Sequence, residues 1–245
     1  MKKPSTSEAS FTSVKPNKDL LRKATSLLKE FLMISFKKKR LISQIEMLWV
    51  IAKKYECHFH EILKRDSLGI EIISGIDVKE MDSPKNCYVL VNKMNLPNSG
   101  RVNPGRGFPK TGLLMNILGV IFMKGNCASA VSIWEFLNKM KIYAGQKHFL
   151  FGKPKKLITE DLVKLKYLEY LQIVDSQPPH YKFLWGPRSH AEISKMRILQ
   201  FLAKINNTVP SAFKSCYEEA LEEQNENALL ASRTSTSTMS ENDPE

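Results

Sequence analysis

The sequence predicts a mainly helical α+β protein built from two tandem winged-helix modules, and three observations lead to this prediction. Two runs of alternating apolar and polar residues flank the segment 176–180, whose prolines cannot join a strand ladder, so the three pieces indicate a β-hairpin. Three helical segments precede this hairpin, and helix, helix, helix, hairpin is the order of elements in a winged-helix module. The same order occurs once more, earlier in the chain, which indicates a duplication.

The first helix of the first module is predicted to start after Asp19, and its apolar residues occupy more than one face. Leu27 and Leu28, followed by the residues 31–34, are too many for a single stripe. A surface helix normally keeps one face polar, so the second apolar face is expected to meet another domain or a partner.

The other elements of the first module are predicted to be a capped helix, a short helix and a hairpin. Ser43 and Glu46 have the spacing of a capping box at the start of the second helix. A third, shorter helix is predicted to begin near Phe59. The runs 70–78 and 87–91 are rich in β-branched residues and are predicted to be strands, with turn chemistry between them.

The second module is predicted to begin at Thr111 with a helix that is apolar on all sides and is therefore expected to be buried. A second helix is predicted over 129–139. Thr159 is the predicted N-cap of the third helix, and Glu160 and Asp161 follow in its first turn, where the helix dipole favours carboxylates.

A last long helix is predicted to follow the second hairpin. Gly186 and Pro187 end the strand, and Ser189 is predicted to cap a helix over 189–206, with Glu192 three residues after the cap.

These elements and the composition between them divide the chain into five predicted segments. They are a disordered basic N-terminus (1–18), a winged-helix module A (19–94), a linker (95–110), a winged-helix module B with C-terminal helices (111–222), and a disordered acidic and Ser/Thr-rich tail (223–245).

The net charge of the chain limits the classes of partner that we expect. The 245 residues carry a formal net charge of +12, with 37 Lys and Arg against 25 Asp and Glu. A basic protein of this kind is either an ordinary lysine-rich soluble protein or one that meets nucleic acid, acidic proteins or an anionic membrane surface. The four cysteines share no metal-binding spacing and the N-terminus has no apolar signal region, so we expect a reducing compartment, the nucleus and cytoplasm, and no membrane.

The sequence contains no catalytic signature. No glycine-rich phosphate loop, nucleophile elbow or zinc-protease motif is present, and the five histidines are scattered. Cys57, His58 and His60 lie close together but fit no structural zinc pattern. We therefore expect a protein without enzymatic activity, without a cofactor and without a bound metal.

Two basic features bear on nucleic acid. Lys37, Lys38, Lys39 and Arg40 form a run that would serve as a nuclear-localisation signal, touch phosphate, or simply be a solvated loop. In the second module, the acids predicted at the start of the third helix would repel phosphate where base contacts are usually made. We therefore expect only weak sequence-specific binding to DNA. Non-specific binding to DNA through the lysines stays an alternative.

Several motifs resemble the melanoma antigen (MAGE) family, type I, nearest the B or C subfamilies. They are YLEYLQIVDSQPPHYKFLWGPRSHAEI over 167–193, FGKPKKLITEDLV over 151–163 and IWEFLNKMKIYAGQKHF over 133–149. The resemblance implies a MAGE homology domain with two winged-helix modules, in agreement with the duplicated order of elements. It also implies a non-catalytic adaptor that binds a RING-type E3 ubiquitin ligase, modulates its activity or substrate choice, and brings ubiquitination substrates to it. Family members are typically expressed in germ line and tumours.

The resemblance also implies where the ligase would bind. The family uses paired leucines in the first helix, and the matching positions here are Leu28, Phe31, Leu32, Met33 and Ile34. Met33 and Ile34 stand where leucines are usual, which leaves the surface apolar and would change partner choice. We expect a Leu32→Ala/Met33→Ala variant to lose the ligase while keeping its fold. An alternative for these residues is that they only join the cores of the two modules. An alternative for the whole protein is a winged-helix transcription regulator whose partners are DNA, chromatin or transcription factors.

Overall fold

A computed structural model describes most of the chain, and its contacts divide it into two compact units, each described here by itself. Unit 1 comprises residues 1–66 and 80–89, and unit 2 comprises 67–79 and 90–245. The described residues are 18–51, 53–81, 86–92, 109–174 and 176–237. The predicted disordered N-terminus up to residue 17 and most of the predicted linker, 95–108, lie outside the described residues.

The first module contains three helices and three strands. Helix α1 spans Lys18–Lys37, strand β1 spans Ile42–Ser43 and helix α2 spans Gln44–Ile51. A 3₁₀ segment, Lys53–His58, leads into helix α3, which spans Phe59–Ser74. The hairpin strands follow, β2 over Ile76–Met81 and β3 over Cys87–Asn92.

The second module repeats this order. Helix α4 spans Thr111–Met123, strand β4 spans Ala128–Ser129 and helix α5 spans Ala130–Lys139. Helix α6, residues 154–164, consists of a first turn over Pro154–Lys156, a π-helical turn over Leu157–Asp161 and a last turn over Leu162–Lys164. The hairpin strands are β5, Leu168–Gln172, and β6, Tyr181–Trp185.

Three further helical segments follow the second hairpin. Helix α7 spans Pro187–Glu192, helix α8 spans Lys195–Ile205, and helix α9 spans Lys214–Ser237, with a 3₁₀ turn at Pro210–Ala212 before it. Helix α8 packs on α4 and on α9 within unit 2. The amphipathic spacing of α8 explains this position, because Ile198, Leu199 and Leu202 are all buried.

The sheet topology confirms the tandem winged-helix fold. The strand orders are β1-β3-β2 and β4-β6-β5, so in each module the short strand before the second helix pairs with the second strand of the hairpin. Ile42 pairs with Tyr88 in the first sheet, and Ala128 pairs with Phe183 in the second, both antiparallel. The same non-consecutive pairing in both modules is the structural form of the duplication that the sequence predicts.

Helix α4 is the centre of the core of unit 2, as its all-round apolar sequence predicts. Eleven of its residues are buried, including the polar Asn116. The Asn116 amide donates hydrogen bonds of 2.8 Å to the carbonyl oxygens of Ile72 and Gly112, so this buried polar group is paired. A Cβ atom at Gly112 would lie 2.7 Å from the carbonyl carbon of Ile73, which explains why the helix carries glycine there.

The residues of the most distinctive motif fold onto one another. The Tyr167 hydroxyl donates to Glu192 Oε2 at 2.7 Å and accepts from Arg188 Nη2 at 2.8 Å, while Arg188 Nε donates to Glu192 Oε1 at 2.8 Å. The Trp185 indole N–H donates to the carbonyl of Leu118 at 3.0 Å. These contacts hold the hairpin and α7 together, so the motif has a structural role.

The first hairpin starts later than predicted. Residues 70–74, predicted to be strand, instead form the last turns of α3, and only Ile76 and the residues after it are extended. Ile70 and Ser74 are buried, and the Ser74 hydroxyl donates to the Ile70 carbonyl at 2.6 Å. Burial of this turn overrides the β preference of its branched side chains. Gly75, at φ 76°, then ends the helix in the left-handed conformation.

The third helix of the second module starts earlier than predicted. Its first residue is Pro154, so Thr159 lies inside the helix, where its hydroxyl donates to the carbonyl of Lys155 at 2.9 Å. Proline is favoured in the first helical turn because its missing N–H has no partner there. The first turn therefore carries Lys155 and Lys156, whereas the predicted Glu160 and Asp161 lie in the π-helical turn.

The predicted long helix after the second hairpin is two helices. Ser189 is not a cap but lies inside α7, buried, with its hydroxyl donating to the Tyr167 carbonyl at 2.7 Å. Pro187 in the first turn sets the start of α7. Ser194 caps α8 instead, accepting a hydrogen bond from the Arg197 N–H.

The last helix extends into the predicted tail. The sequence predicts a disordered segment from residue 223, whereas α9 continues to Ser237. Residues 218–231 are rich in Glu, Ala and Leu, which are strong helix formers, and this explains the extension. Residues 238–245 lie outside the described part of the chain.

Candidate partner-binding surface

Helix α1 has a buried apolar stripe and a separate exposed apolar pair. Ala24, Leu28, Leu32 and Ser35 recur at spacings of three and four residues and are buried, and α1 packs on α2 within unit 1. Among residues 22–37, whose side chains are described, the exposed apolar ones are Leu27, at 53% exposure, and Ile34, at 38%. The helix therefore has apolar residues on two faces, as its sequence predicts.

The five residues predicted to bind the ligase do not share one exposed face. The side chains of Leu28, Leu32 and Met33 are buried, at 0%, 0% and 2% exposure. Phe31 is partly buried and Ile34 is exposed. In this conformation only Phe31 and Ile34 can touch a partner directly, and the other three support the helix from beneath.

Arg40 connects the end of α1 to the start of α2. Its Nη1 lies 2.8 Å from Glu46 Oε1, its Nε lies 3.3 Å from the Ser35 hydroxyl, and its guanidinium carbon lies 5.3 Å from the centroid of the Phe31 ring. Arg40 is thus held by several contacts in unit 1. The other three residues of the basic run, 37–39, are exposed, and their role as a localisation signal stays a prediction.

The start of α2 is held by the predicted capping box, which is confirmed. The Ser43 N–H donates to Glu46 Oε2 at 2.9 Å, and the Glu46 N–H donates to the Ser43 hydroxyl at 3.3 Å. The hydrogen bond from the Ser43 backbone, followed by the one from Arg40, lowers the pKa of Glu46. The carboxylate stays charged at neutral pH and fixes the orientation of α2.

Helix α2 exposes large apolar side chains to solvent. Ile45 is 66% exposed and Trp49, one turn later, is 83% exposed. Together with Leu48 and Glu56 they line a shallow groove of about 530 Å³. We call the face formed by Ile45, Leu48 and Trp49 the α2 surface.

The α2 surface could not be found from the sequence. The helix reads QIEMLWVI, which is apolar nearly all round, so the spacing does not say which side chains are buried. The structure buries Met47 and Ile51 and leaves Trp49 outside. A tryptophan is highly buried on average in folded proteins, so an exposed one in an apolar groove is a feature of a protein interaction site.

Among the described residues, no cluster of three or more His, Cys, Asp or Glu side chains lies in metal-binding geometry. His148 accepts a hydrogen bond from the Leu150 N–H, stacks on Phe151 at 4.9 Å, and has its pKa lowered by burial, which makes it a neutral structural residue of its turn. Among the described helices, none combines the length and apolar character that a membrane span needs.

The chain is similar to several known proteins. The MAGE homology domain family model matches residues 12–196. Human melanoma-associated antigen B3 is 56% identical over 230 residues, which cover 94% of this chain and 66% of that relative. Human melanoma-associated antigen B4 is 46% identical over 239 residues, covering 96% of this chain and 69% of the relative. A solved Nse1-Nse3-Nse4 complex contains a chain with 33% identity and a TM-score of 0.46, which covers 84% of this chain and 99% of that one.

The sheet topology, the family model and the two human antigens define a protein with a MAGE homology domain, built from tandem winged-helix modules. The chain belongs to the melanoma antigen family, and its similarity to the B-type antigens assigns it to the B subfamily. It spans about two thirds of the length of the human relatives B3 and B4.

Proposed function

We propose that this protein is a non-catalytic adaptor that binds a RING-type E3 ubiquitin ligase and modulates its activity or substrate choice. Membership of the MAGE family supports an adaptor role. The observation that carries the proposal is the α2 surface, where a tryptophan is 83% exposed within an apolar groove of unit 1. An isolated exposed apolar residue is ordinary, but a contiguous groove of this kind is typical of a protein-binding surface.

The composition of the α2 surface suits a tight contact. Tryptophan is among the residues that contribute most binding free energy in protein interfaces, above all in the centre of a patch that excludes water. Ile45 and Leu48 lie beside Trp49 and supply the apolar surroundings, while Glu46 and Arg40 supply charged groups at the N-terminal end of α2. We propose that the ligase buries Trp49 and contacts this charged pair at the edge.

The α1 residues implied by the family resemblance keep a place in this proposal. Arg40 joins the Phe31 ring to Glu46, so the accessible part of α1 lies next to the start of α2. Phe31 and Ile34 would extend the contact, while Leu28, Leu32 and Met33 would act by holding α1 in position. Their substitution would then reduce ligase binding through the fold.

The test compares ligase capture by the full chain and by an Ile45→Ala/Trp49→Ala variant. Both side chains are exposed, so the variant is expected to fold, whereas loss of an anchoring tryptophan typically lowers affinity by about 2 kcal/mol or more, roughly thirtyfold. Affinity purification from germ-line-derived cells, with nuclease added to remove bridging nucleic acid, is expected to recover a RING-type ligase with the wild type and to lose it with the variant.

The matched control is a Val131→Ala/Val209→Ala variant, whose two substituted side chains are 58% and 59% exposed in unit 2. It is expected to recover the ligase as the wild type does. Recovery of the same ligase by the Ile45→Ala/Trp49→Ala protein would refute the α2 surface as the binding site. Failure of the wild type to bind any RING-type ligase would refute the adaptor function itself.

A further inference from the structure

Unit 2 contains a pocket lined by four lysines. Lys147 belongs to the loop after α5, and Lys153, Lys155 and Lys156 lie at the start of α6. The pocket has a volume of about 430 Å³, and the Gln146 amide and the Thr159 hydroxyl also line it. All four lysine side chains are exposed. We call this site the lysine pocket.

Within the described part of the chain, the lysine pocket has an excess of positive charge. None of the four lysines forms an ion pair with a carboxylate in the described part of the chain, and the one acid on the pocket wall, Glu160, lies 3.9 Å from Lys164. The surrounding segment 139–166 contains eight lysines and only two acids. Mutual repulsion among unpaired lysines opposes their gathering in one concave site, and a bound polyanion would relieve it.

The place of the pocket in the module points to nucleic acid. Helix α6 is the third helix of the module, the element that helix-turn-helix proteins place against DNA. The sequence alone predicts acids in its first turn, where they would repel phosphate. Since the helix starts at Pro154, the first turn instead carries Lys155 and Lys156, and that objection no longer applies.

The residue types favour non-specific contact with a phosphodiester chain. The pocket contains no arginine, and the bidentate guanidinium fork is the usual means of recognising a single phosphorylated side chain. Lysines act as mobile point charges, which suits a flexible chain with many phosphates.

The surroundings favour a single strand over a duplex. The wing segment between β5 and β6, residues 173–180, contains no lysine or arginine, so it supplies no second basic clamp for a duplex. The loop that carries Lys147 also carries two exposed aromatic rings, Tyr143 at 42% and Phe149 at 52% exposure. Single-strand binding proteins combine a basic groove with aromatic rings on which bases stack.

We propose that the lysine pocket binds the phosphate backbone of single-stranded nucleic acid, RNA or DNA, with little sequence preference, and that Tyr143 and Phe149 stack on its bases. This activity is independent of ligase binding, since no residue of the α2 surface takes part in it.

The experiment measures binding of the full chain to a labelled single-stranded oligonucleotide of about 20 nucleotides, long enough for one binding site of this type. Fluorescence anisotropy is recorded between about 50 and 200 mM salt for RNA and for DNA of mixed sequence, and for the DNA duplex. Each phosphate contact with a single strand contributes a slope of about −0.7 to the logarithm of affinity against the logarithm of salt concentration. A Lys153→Gln/Lys155→Gln/Lys156→Gln variant is therefore expected to flatten the slope by about 2 and to weaken binding at least tenfold.

The matched control is Lys64→Gln/Lys124→Gln/Lys214→Gln, which removes the same charge at three exposed lysines outside the pocket. It is expected to bind within about twofold of the wild type, because contacts rather than net charge set the slope. A Tyr143→Ala/Phe149→Ala variant is expected to weaken single-strand binding with the slope unchanged. Thermal unfolding by circular dichroism confirms that each variant is folded.

Several results would overturn the proposal. These are no binding by the wild type at the lowest salt, equal loss in the control variant, or unchanged binding after the pocket lysines are replaced. Duplex binding as tight as single-strand binding would overturn the single-strand assignment. A phosphoserine peptide that binds the pocket while the oligonucleotides do not would assign it to phosphorylated protein instead. If the protein binds RNA more tightly than single-stranded DNA, or the reverse, the tighter ligand would be identified as the natural one.

Discussion

The carboxyl group of Asp66 in unit 1 is buried with little electrostatic compensation. The Asp66 side chain is 0% exposed, and neither of its oxygens accepts a hydrogen bond from a described residue. The closest cation, Lys29, has its Nζ 3.9 Å from Asp66 Oδ1, which is at the limit of an ion pair. Desolvation outweighs the attraction of Lys29 and Arg65 and raises the pKa of Asp66 to about 7. A buried acid with so little compensation is held in place by the packing around it.

We expect Asp66→Asn to stabilise the protein at alkaline pH. Between about pH 4, the usual pKa of aspartate, and about pH 7, the folded protein holds a proton on Asp66 that the unfolded chain has released, so stability falls as pH rises through this window and stays level above it. The variant removes that loss, which for a rise of about three pKa units is on the order of 4 kcal/mol, so it is expected to be more stable than the wild type at pH 8 by up to about that amount, with a much smaller difference near pH 4. Urea unfolding at several pH values measures this.

A Glu61→Gln variant on the same helix is the control, because its side chain is exposed and its substitution should leave the pH profile unchanged. Lower stability of Asp66→Asn at pH 8 would contradict the expectation and would show that the Lys29–Asp66 pair stabilises the charged form.

At the scale of elements, the turn from β6 into α7 brings backbone atoms very close to Gly186. Of the glycines described, Gly186 has the closest backbone neighbour. A Cβ atom on Gly186 would lie 2.4 Å from the carbonyl oxygen of Lys166. The same turn places Arg188 against Tyr167, with its guanidinium carbon 4.4 Å from the ring centroid. The hairpin and α7 can therefore pack together only if residue 186 has no side chain.

We expect Gly186→Ala to destabilise unit 2 by about 2–4 kcal/mol, because backbone atoms must move to admit the methyl group. Gly145→Ala is the matched control, since a Cβ atom there would meet nothing within 4 Å. Thermal unfolding compares the two, and similar melting temperatures would show that the chain relaxes easily around residue 186.

The burial of Leu32 and Met33 on α1 gives a second prediction at the element scale. It changes the expected result of the Leu32→Ala/Met33→Ala experiment, because the variant should lose its fold as well as the ligase. Leu32 and Met33 are buried, so Leu32→Ala/Met33→Ala is expected to cost about 2–5 kcal/mol for each residue, enough to unfold a marginally stable unit. Leu27→Ala/Ile34→Ala on the exposed residues of the same helix is expected to cost less than about 1 kcal/mol. Chemical denaturation of both variants tests this; equal stability of the two would show that α1 is loosely packed.

For the whole molecule, the two proposed activities rest on different physical forces. The α2 surface is apolar, and the burial of apolar area depends weakly on salt at ordinary concentrations. The lysine pocket is proposed to act through charge, so its binding is expected to fall steeply as salt rises. The formal net charge of +12 favours encounter with polyanions in general, but the unpaired lysines around α6 concentrate that tendency at one site. Ionic strength is therefore expected to separate the proposed ligase interaction from the proposed nucleic-acid interaction in one preparation.

The sequence by itself determined the fold class, the duplication, the family and several local features. Alternation and helical spacing are properties of short segments, so the capping box at Ser43, the buried α4 and the second hairpin could be predicted from them. The motif over 167–193 indicated the family by its resemblance, and its residues pack on one another in the structure.

Only the tertiary structure decided which apolar side chains are covered and where helices start. The QIEMLWVI helix and the 31–34 run are apolar on too many faces for spacing to separate Met47 from Trp49 or Leu32 from Ile34, because that choice depends on what packs against each face. The helical form of 70–74 also depends on packing between distant segments, which overrides local preference. The start of α6 differs, because Pro154 is itself a local signal for a helix start and Thr159 offered a competing one. Both candidate sites depend on the tertiary structure, since it leaves Trp49 exposed on α2 and places Lys147 beside the lysines at the start of α6.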